Sequence, residues 1–293
     1  MGEHLEAFEP RPKVRDQGKT WRLEPQVLKT PLRTRQTICL VALLLWLMGG
    51  LIWLPSKHHS QQVALPIEPA LLVPSSRHNG YATSFVAAEQ PISEGGRWIS
   101  GRSAGTDWAD VRTGIGLAYG TESGRGQGDA AYDDSTALLN GTWGSDQTVE
   151  AEVRSIHPTD YDFEEVELRL RSSLTTHNAV GYEVLFRCSK STNAYASIAR
   201  WDGGLGKFTY LSQKNGPEFG VADGDIVKAT AVGGVITGYI NGVEVIRATD
   251  NTYDHGKPGM GFWFKKSSSK KFWLSKSGEV NTDCGFRRFA AWD

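Results

Sequence analysis

A series of short segments in which apolar and polar residues alternate constrains the fold of this chain most strongly. Residues 148–156 (TVEAEVRSI) place Val149, Ala151 and Val153 on one side and charged residues on the other. Because successive side chains of a β-strand point to opposite faces, this period of two predicts strands with one apolar face. Further strands are predicted at residues 165–171, 182–188, 195–201, 207–211, 225–232, 235–240, 243–248, 259–265 and 285–292.

The clearest local signal is the pair Asn241-Gly242, which separates residues 235–240 (VITGYI) from residues 243–248 (VEVIRA). Asn and Gly accept the positive φ angles of a two-residue type I′ turn, so this stretch is predicted to be a β-hairpin. Many short strands without a helical interval favour an all-β fold, an antiparallel β-sandwich. The formal net charge of −1 argues against nucleic acid as a partner.

One apolar segment stands apart from the strands. Residues 37–54 (TICLVALLLWLMGGLIWL) carry no charge and are long enough, as a helix, to cross a bilayer. Eight basic and five acidic residues precede this segment, and this excess of positive charge predicts a cytoplasmic N-terminus with the rest of the chain outside the cytoplasm. A cleaved signal peptide and a buried soluble helix are the alternatives to a membrane anchor.

The flanking composition divides the chain into four parts. Residues 1–36 are polar and mixed in charge, which predicts a cytoplasmic tail. After the transmembrane helix at 37–54, the proline-containing residues 55–80 are predicted to be a linker that holds the following domain away from the membrane. Residues 81–293 are then one large sandwich domain with a core of its own.

The order of motifs in the last part resembles the concanavalin A-like lectin/glucanase jelly rolls, in particular their laminin-G-like type. The resemblance rests on Phe85 with Trp98 and on GDAAY (128–132), WGSDQTVEAEV (143–153), GYEVLF (181–186), SIARWDGG (197–204), VADGDIVKATAVGGVITGYINGVEV (221–245), ATDNTYDHGKPGMGF (248–262) and FRRFAAWD (286–293). It implies a jelly-roll sandwich. It does not fix the function, because the superfamily includes lectins, carbohydrate-binding modules, glycoside hydrolases, lyases and adhesion domains.

The hypothesis we favour is a membrane-anchored extracytoplasmic binding module for carbohydrate or a cell-surface ligand. A membrane-tethered glycoside hydrolase or lyase is the first alternative, and a structural protein-binding subunit of a membrane assembly is the second. Platforms for sugar rings are expected at Trp108, Tyr161 and Trp201, since aspartates or glycines flank each of these aromatic residues. The opposing interpretation places these rings in the sandwich core.

Hydrolysis needs two carboxylates across the glycosidic bond. Glu165 and Glu167 share one face of a predicted strand, but Arg169 stands where the hydrolases of this superfamily carry a third acid. The competing interpretation is an exposed ladder of cross-strand ion pairs. This ladder would set Glu150, Glu152 and Arg154 against Glu167, Arg169 and Arg171.

A structural calcium ion is a further expectation. Asp250, Asn251 and Asp254 offer oxygen ligands in one turn-rich segment, and Asp293 could join them. The same residue types also build turns without an ion. Of the three cysteines, Cys39 lies in the apolar segment, and the sequence leaves open whether Cys188 and Cys284 form a disulfide.

Overall fold

The computed structural model describes residues 79–121, 132–158, 161–266 and 280–293. The predicted tail, the apolar segment 37–54 and nearly all of the predicted linker lie outside these ranges. Within them, no helix is long and apolar enough to span a bilayer. The membrane anchor therefore stays a prediction.

The described chain is built from fifteen strands. Five come before residue 140, namely β1 (Gly80–Thr83), β2 (Trp98–Ser100), β3 (Ala109–Gly114), β4 (Leu117–Thr121) and β5 (Ser135–Leu139). The others are β6 (Gln147–Ser155), β7 (Tyr161–Thr175), β8 (Asn178–Arg187), β9 (Tyr195–Gly203), β10 (Phe208–Asn215), β11 (Ile226–Val232), β12 (Val235–Ile240), β13 (Val243–Thr249), β14 (Lys257–Lys266) and β15 (Val280–Trp292). Two short 3-10 turns occur at Arg102–Ala104 and Pro217–Phe219.

These strands form two antiparallel sheets. Sheet 1 has the order β10-β9-β8-β7-β14-β5, with β2 beside β5. Sheet 2 has the order β3-β4-β15-β6-β11-β12-β13, with β1 beside β15. A short parallel pairing of β3 with β5 joins the two sheets. The fold is thus the predicted all-β antiparallel sandwich.

The core lies between the two sheets, as the alternation predicts. Val149, Ala151 and Val153 of β6 are fully buried in one cluster with Val166 and Leu168 of β7. Burying such side chains completely is worth about 1.5–3 kcal/mol each. The inner faces of the two sheets are therefore the main source of stability.

The predicted hairpin is confirmed in detail. β12 and β13 pair with Ile240 opposite Val243, and the turn residues Asn241 and Gly242 have φ angles of 51° and 79°. Both values lie in the left-handed region that a type I′ turn requires.

The predicted ladder between β6 and β7 is wrong. β6 lies in sheet 2 between β11 and β15, whereas β7 lies in sheet 1 between β8 and β14. Glu152 of β6 forms an ion pair with Arg288 of β15 instead. Alternation fixes which side chains share a face, but it does not identify the neighbouring strand, because pairing depends on the order of strands across the whole sheet.

A disulfide links the two sheets. Cys188, which follows β8, is paired with Cys284 in β15, and both residues are buried. The sequence left this pairing open, since the two cysteines are 96 positions apart.

Candidate functional site

The outer face of sheet 1 carries a buried charged cluster, defined as Asp134, Glu167, Arg169 and Glu183. Arg169 Nη2 donates to Glu167 Oε2 at 2.7 Å, and Arg169 Nη1 lies 2.8 Å from Glu183 Oε2. Asp134 Oδ2 lies 3.9 Å from Arg169 Nη2. All four residues are at most 3% exposed. The exposed location expected for Glu167 and Arg169 is therefore wrong.

The strands explain why these side chains meet. Glu167 and Arg169 are two apart on β7, so they project to the same face, opposite to the core residue Leu168. Arg169 lies directly opposite Glu183 of β8. Gly261 of β14 supplies the space, because a Cβ at that position would lie 2.2 Å from Glu167 Oε2.

Two tryptophans pack against the charged cluster. Trp201 Nε1 donates to Glu183 Oε2 at 2.5 Å, and the Arg169 guanidinium lies 5.6 Å from the Trp201 ring centroid. Trp108 packs edge-to-face on Trp201 at 5.3 Å. Both tryptophans are at most 2% exposed. They are not the exposed platforms that the sequence suggested, and a role in ligand binding stays a prediction.

The electrostatics of the cluster favour a protonated Glu167. Burial raises the pKa of Glu167 well above its usual range, and the carboxylates of Glu183 and Asp134 add to this effect. The positive charge of Arg169 opposes it. One oxygen, Glu167 Oε1, has no hydrogen-bond partner within the described ranges.

The spacing of the acids in the charged cluster raises the question of a metal ion. Oxygen atoms of Asp134, Glu167 and Glu183 lie within 4.8 Å of one another, which is a spacing that a cation could bridge. The Arg169 guanidinium, however, already contacts these carboxylates and is itself buried. Because a divalent cation would have to displace this charge, the residues present do not fit a metal.

Glu165, the other predicted catalytic candidate, is 1% exposed on the same face of β7. Its carboxylate accepts a hydrogen bond from the Tyr195 hydroxyl. The structure thus places Glu165 and Glu167 on one face, as predicted, and adds Glu183 from β8 and Asp134 from the residue before β5. Glu183 was missed because its position opposite Arg169 depends on the register of the β7–β8 hairpin, and Asp134 because it precedes β5, which is distant from β7 in sequence.

An open groove lies elsewhere, around Trp143 in the loop between β5 and β6. We call it the Trp143 groove, a cavity of about 380 Å³ lined by Asn79, Thr142, Trp143, Gly144, Ser145, Asp146 and Asp293. A second cavity of about 180 Å³ borders Trp143 as well and is also lined by Tyr81, Arg97 and Asn140. Trp143 is half-buried and packs against the main core, so its ring is anchored and yet accessible.

Hydrogen bonds fix the walls of the Trp143 groove. The Asp293 carboxylate accepts from the Asn79 backbone N–H at 2.8 Å, from Asn79 Nδ2 at 2.7 Å and from the Gly144 N–H at 2.6 Å. Trp143 Nε1 donates to the Asn140 carbonyl at 3.2 Å. The ring is therefore held by this hydrogen bond and by its packing on the core, and part of it stays exposed beside the cavity.

The predicted calcium ligands are separated into different networks. Asp250 accepts from the Tyr182 hydroxyl at 2.6 Å and from Arg200 Nη1 at 2.7 Å, which contribute to lowering its pKa to about 2 even though burial acts to raise it. Asp254 is exposed and contacts His255, and Asp293 belongs to the Trp143 groove. Among the described residues, the one group of three acidic side chains close enough to share a cation is in the charged cluster. Calcium at Asp250, Asn251 and Asp254 stays a prediction.

Two more aromatic residues, Tyr161 and Trp143, can be compared with the predicted sugar platforms. Tyr161 begins β7, but its side chain lies outside the described part of the structure. Trp143 was not among the predicted platforms. The signal that could have identified it is the stretch Asn140-Gly141-Thr142 before the ring, because polar and glycine residues between two strands predict an exposed loop.

Comparison with known proteins gives structural similarity only. No protein-family model and no curated protein matches the chain. A carbohydrate-binding module, CBM66 from Bacillus subtilis, is 18% identical with a TM-score of 0.43, over 60% of this chain and 97% of the module. A Bacillus licheniformis β-glucanase is 11% identical with a TM-score of 0.44, over 73% and 98%. The Caenorhabditis elegans galectin LEC-6 is 11% identical with a TM-score of 0.33, over 53% and 88%. At these scores and identities, function has to be argued from the described residues.

Proposed function

We propose that this domain binds carbohydrate without cleaving it and that the ligand lies in the Trp143 groove. The observation that carries the proposal is the accessible Trp143 ring beside a cavity with a polar rim. Sugar-binding sites combine an aromatic face, on which a ring can lie, with a few polar groups that fix its orientation. Here Asn79, Thr142, Ser145 and Asp146 supply amide, hydroxyl and carboxylate groups.

The charged cluster is less suited to this role. Its side chains are buried and already bind one another through Arg169, so an incoming sugar would have to break an ion-pair network. Breaking such a pair by removing one partner costs about 3–5 kcal/mol. The Trp143 groove requires no comparable rearrangement.

The test is a glycan array probed with the full-length chain in detergent micelles. We expect wild-type protein to retain a defined set of glycans and Trp143→Ala to lose at least about tenfold in affinity, since a stacked ring is a typical hot spot. Tyr239→Ala is the matched control, because Tyr239 is a half-buried aromatic residue of sheet 2 outside both cavities. Retention of no glycan by the wild type would reject carbohydrate binding, and equal binding by Trp143→Ala would reject the groove.

We also propose that residues 37–54 anchor the chain in a membrane and that the sandwich domain lies outside the cytoplasm. The charge asymmetry around residues 37–54 and the disulfide between Cys188 and Cys284 support this arrangement. Extraction of membranes at high pH should leave the chain in the pellet. Protease added to intact spheroplasts or cells should digest the domain. Release at high pH, or complete protection from protease, would contradict the proposal.

A second candidate function is glycoside cleavage by Glu165 and Glu167. The raised pKa of Glu167 favours it, because a general acid must be protonated near the working pH. The contact of Glu167 with Arg169 and the burial of both glutamates argue against it. A reducing-end assay separates the two functions. If the wild type releases sugar and Glu167→Gln does not, hydrolysis would replace binding without cleavage as the proposed function.

A further inference from the structure

One buried arginine ties the loop that carries Trp143 to two neighbouring loops. The Arg171 side chain donates from Nε to the Ser145 carbonyl at 2.6 Å, from Nη1 to the Tyr253 carbonyl at 3.1 Å and from Nη2 to the Gly233 carbonyl at 2.8 Å. Arg171 is 3% exposed, and its Nη2 lies 3.6 Å from Asp146 Oδ1. Three separate loops are therefore fixed by one guanidinium.

Gln147 extends this network towards the groove. The backbone N–H of Arg171 donates to Gln147 Oε1 at 2.8 Å. Gln147 Nε2 in turn donates to the Gly144 carbonyl at 3.0 Å and to the Gly256 carbonyl at 2.8 Å. Gly144 and Ser145 directly follow Trp143 and line the groove. The Gly144 carbonyl is held by Gln147 and the Ser145 carbonyl by Arg171.

A β-bulge in the backbone around Arg171 directs its side chain. Arg171 has a φ of 47°, and the pairing of β7 with β8 is irregular between Leu170 and Ser173. Two glycines make room for this bulge. A Cβ at Gly256 would lie 2.3 Å from the Arg171 carbonyl carbon, and one at Gly181 would lie 2.5 Å from the Ser172 Cα. The bulge turns the Arg171 side chain into the loops at the end of the sandwich.

We infer that Arg171 is the positioning residue of the Trp143 groove. Its guanidinium binds the loop carbonyls in the place of a metal cation. Converging carbonyl groups beside a carboxylate are the ligand types that calcium binds in loops. Here five N–H donors in a fixed geometry can satisfy the same acceptors. The geometry of the groove is then independent of divalent cations. This inference rests on the proposed function for its biological meaning, but it can be tested without a ligand.

The experiment uses the full-length chain labelled with 5-fluorotryptophan and followed by ¹⁹F NMR in detergent, with Trp143→Phe to assign the Trp143 resonance. In wild type, we expect the resonance and the thermal midpoint to be the same in EDTA and in millimolar calcium chloride. In Arg171→Met, the resonance should shift and broaden, and signals on the glycan array should fall at least about tenfold, because charged hydrogen bonds to the loops are lost. Arg247→Met is the matched control, since Arg247 is an exposed arginine paired with Glu244.

Each outcome decides the inference. A wild-type Trp143 resonance that moves with calcium would reject the cation role of Arg171. An unchanged resonance in Arg171→Met would reject positioning. If Arg171→Met does not fold, Arg171→Lys keeps the charge but carries all its N–H groups on one nitrogen, whereas Arg171 donates to the three carbonyls from three nitrogens. A wild-type resonance in Arg171→Lys would reject positioning equally. A wild type that binds no glycan would reject the proposed function alone, because the NMR readout needs no ligand.

Discussion

At the scale of single residues, the outer face of sheet 1 shows how one arginine permits three buried acids. Arg169 contacts Asp134, Glu167 and Glu183, and each of these is at most 1% exposed in its side chain. Desolvation penalises the charged form of every one of these acids. The charge on Arg169 offsets part of this cost, and the raised pKa of Glu167, caused first by its burial, favours the neutral form of that acid.

The first prediction concerns pH. The folded-state pKa of Glu167 lies above the ordinary value of 4.5, so the folded chain binds this proton more tightly than the unfolded chain. The resulting stability is fully present below pH 4.5 and is lost as the pH rises towards the folded-state pKa. Urea unfolding from pH 4.5 upwards should show this decline in wild type and a smaller one in Glu167→Gln. Identical pH profiles for the two proteins would contradict the protonated state.

The second prediction concerns Arg169, whose positive charge is the counter-charge of the buried acids. Arg169→Met should lower the free energy of unfolding by about 3–5 kcal/mol at pH 7, because buried carboxylates lose their partner. The loss should be smaller at pH 5, where protonation can replace the missing charge. Arg247→Met, at an exposed pair, should change stability by less than about 1 kcal/mol. Denaturant titrations at both pH values measure these differences, and equal costs at positions 169 and 247 would refute the argument.

At the scale of elements, β7 joins the two sites of the molecule. Its regular part presents Glu167 and Arg169 to the outer face of sheet 1, and its bulge sends Arg171 into the loops around the Trp143 groove. Period-two alternation would place Arg169 and Arg171 on the same face. The bulge breaks that relation, because an extra residue shifts the following side chains.

The third prediction tests the glycine beside that bulge. Gly256→Ala should cost at least about 2 kcal/mol of stability, since an unfavourable φ of 138° is combined with a backbone clash at Arg171. Gly116→Ala is the control, because Gly116 has a φ of 76° but open space around its Cβ. Thermal or urea unfolding compares the two variants. A cost at Gly256 no larger than that at Gly116 would show that the close approach does not matter.

Much of this element structure could be predicted from the sequence. The strands from β6 to β15 follow alternation and turn residues, and the hairpin of β12 and β13 follows from Asn241-Gly242. The short strands β1 to β5 were missed. β2 has only three residues, and β5 is buried along its whole length without alternation, whereas β3 does alternate but has only six residues. Sequence placed Glu167 and Arg169 on one face, but the contacts with Asp134 and Glu183 depend on strand order, which is a property of the whole chain.

At the scale of the whole molecule, two distant links close the sandwich. The disulfide between Cys188 and Cys284 joins sheet 1 to sheet 2. The hydrogen bonds between Asn79 and Asp293 join the first and last described residues. The two links join residues that are 96 and 214 positions apart. Only the covalent disulfide persists in the unfolded chain, so it alone restricts that chain, and it closes a far longer loop than a local turn does.

The fourth prediction concerns the cysteines. Without reductant, the denatured full-length chain should show one reactive thiol, that of Cys39, and three after reduction. Replacing Cys188 and Cys284 together by serine should lower the free energy of unfolding by about 4–5 kcal/mol, on the loop-entropy model for a closed loop of this size. Thiol titration and urea unfolding check the two statements. Three reactive thiols before reduction in protein purified from its native source would contradict the link.

The meeting of Asn79 with Asp293 has a consequence for how the domain can be engineered. A short Gly/Ser bridge could connect these positions, and new termini could be opened at the Gly116 turn, where the backbone is surrounded by free space. Such a circular permutant would keep every strand pair except the turn it cuts. The ends of the described domain would then lie at the Gly116 turn instead of at Asn79 and Asp293, which line the groove.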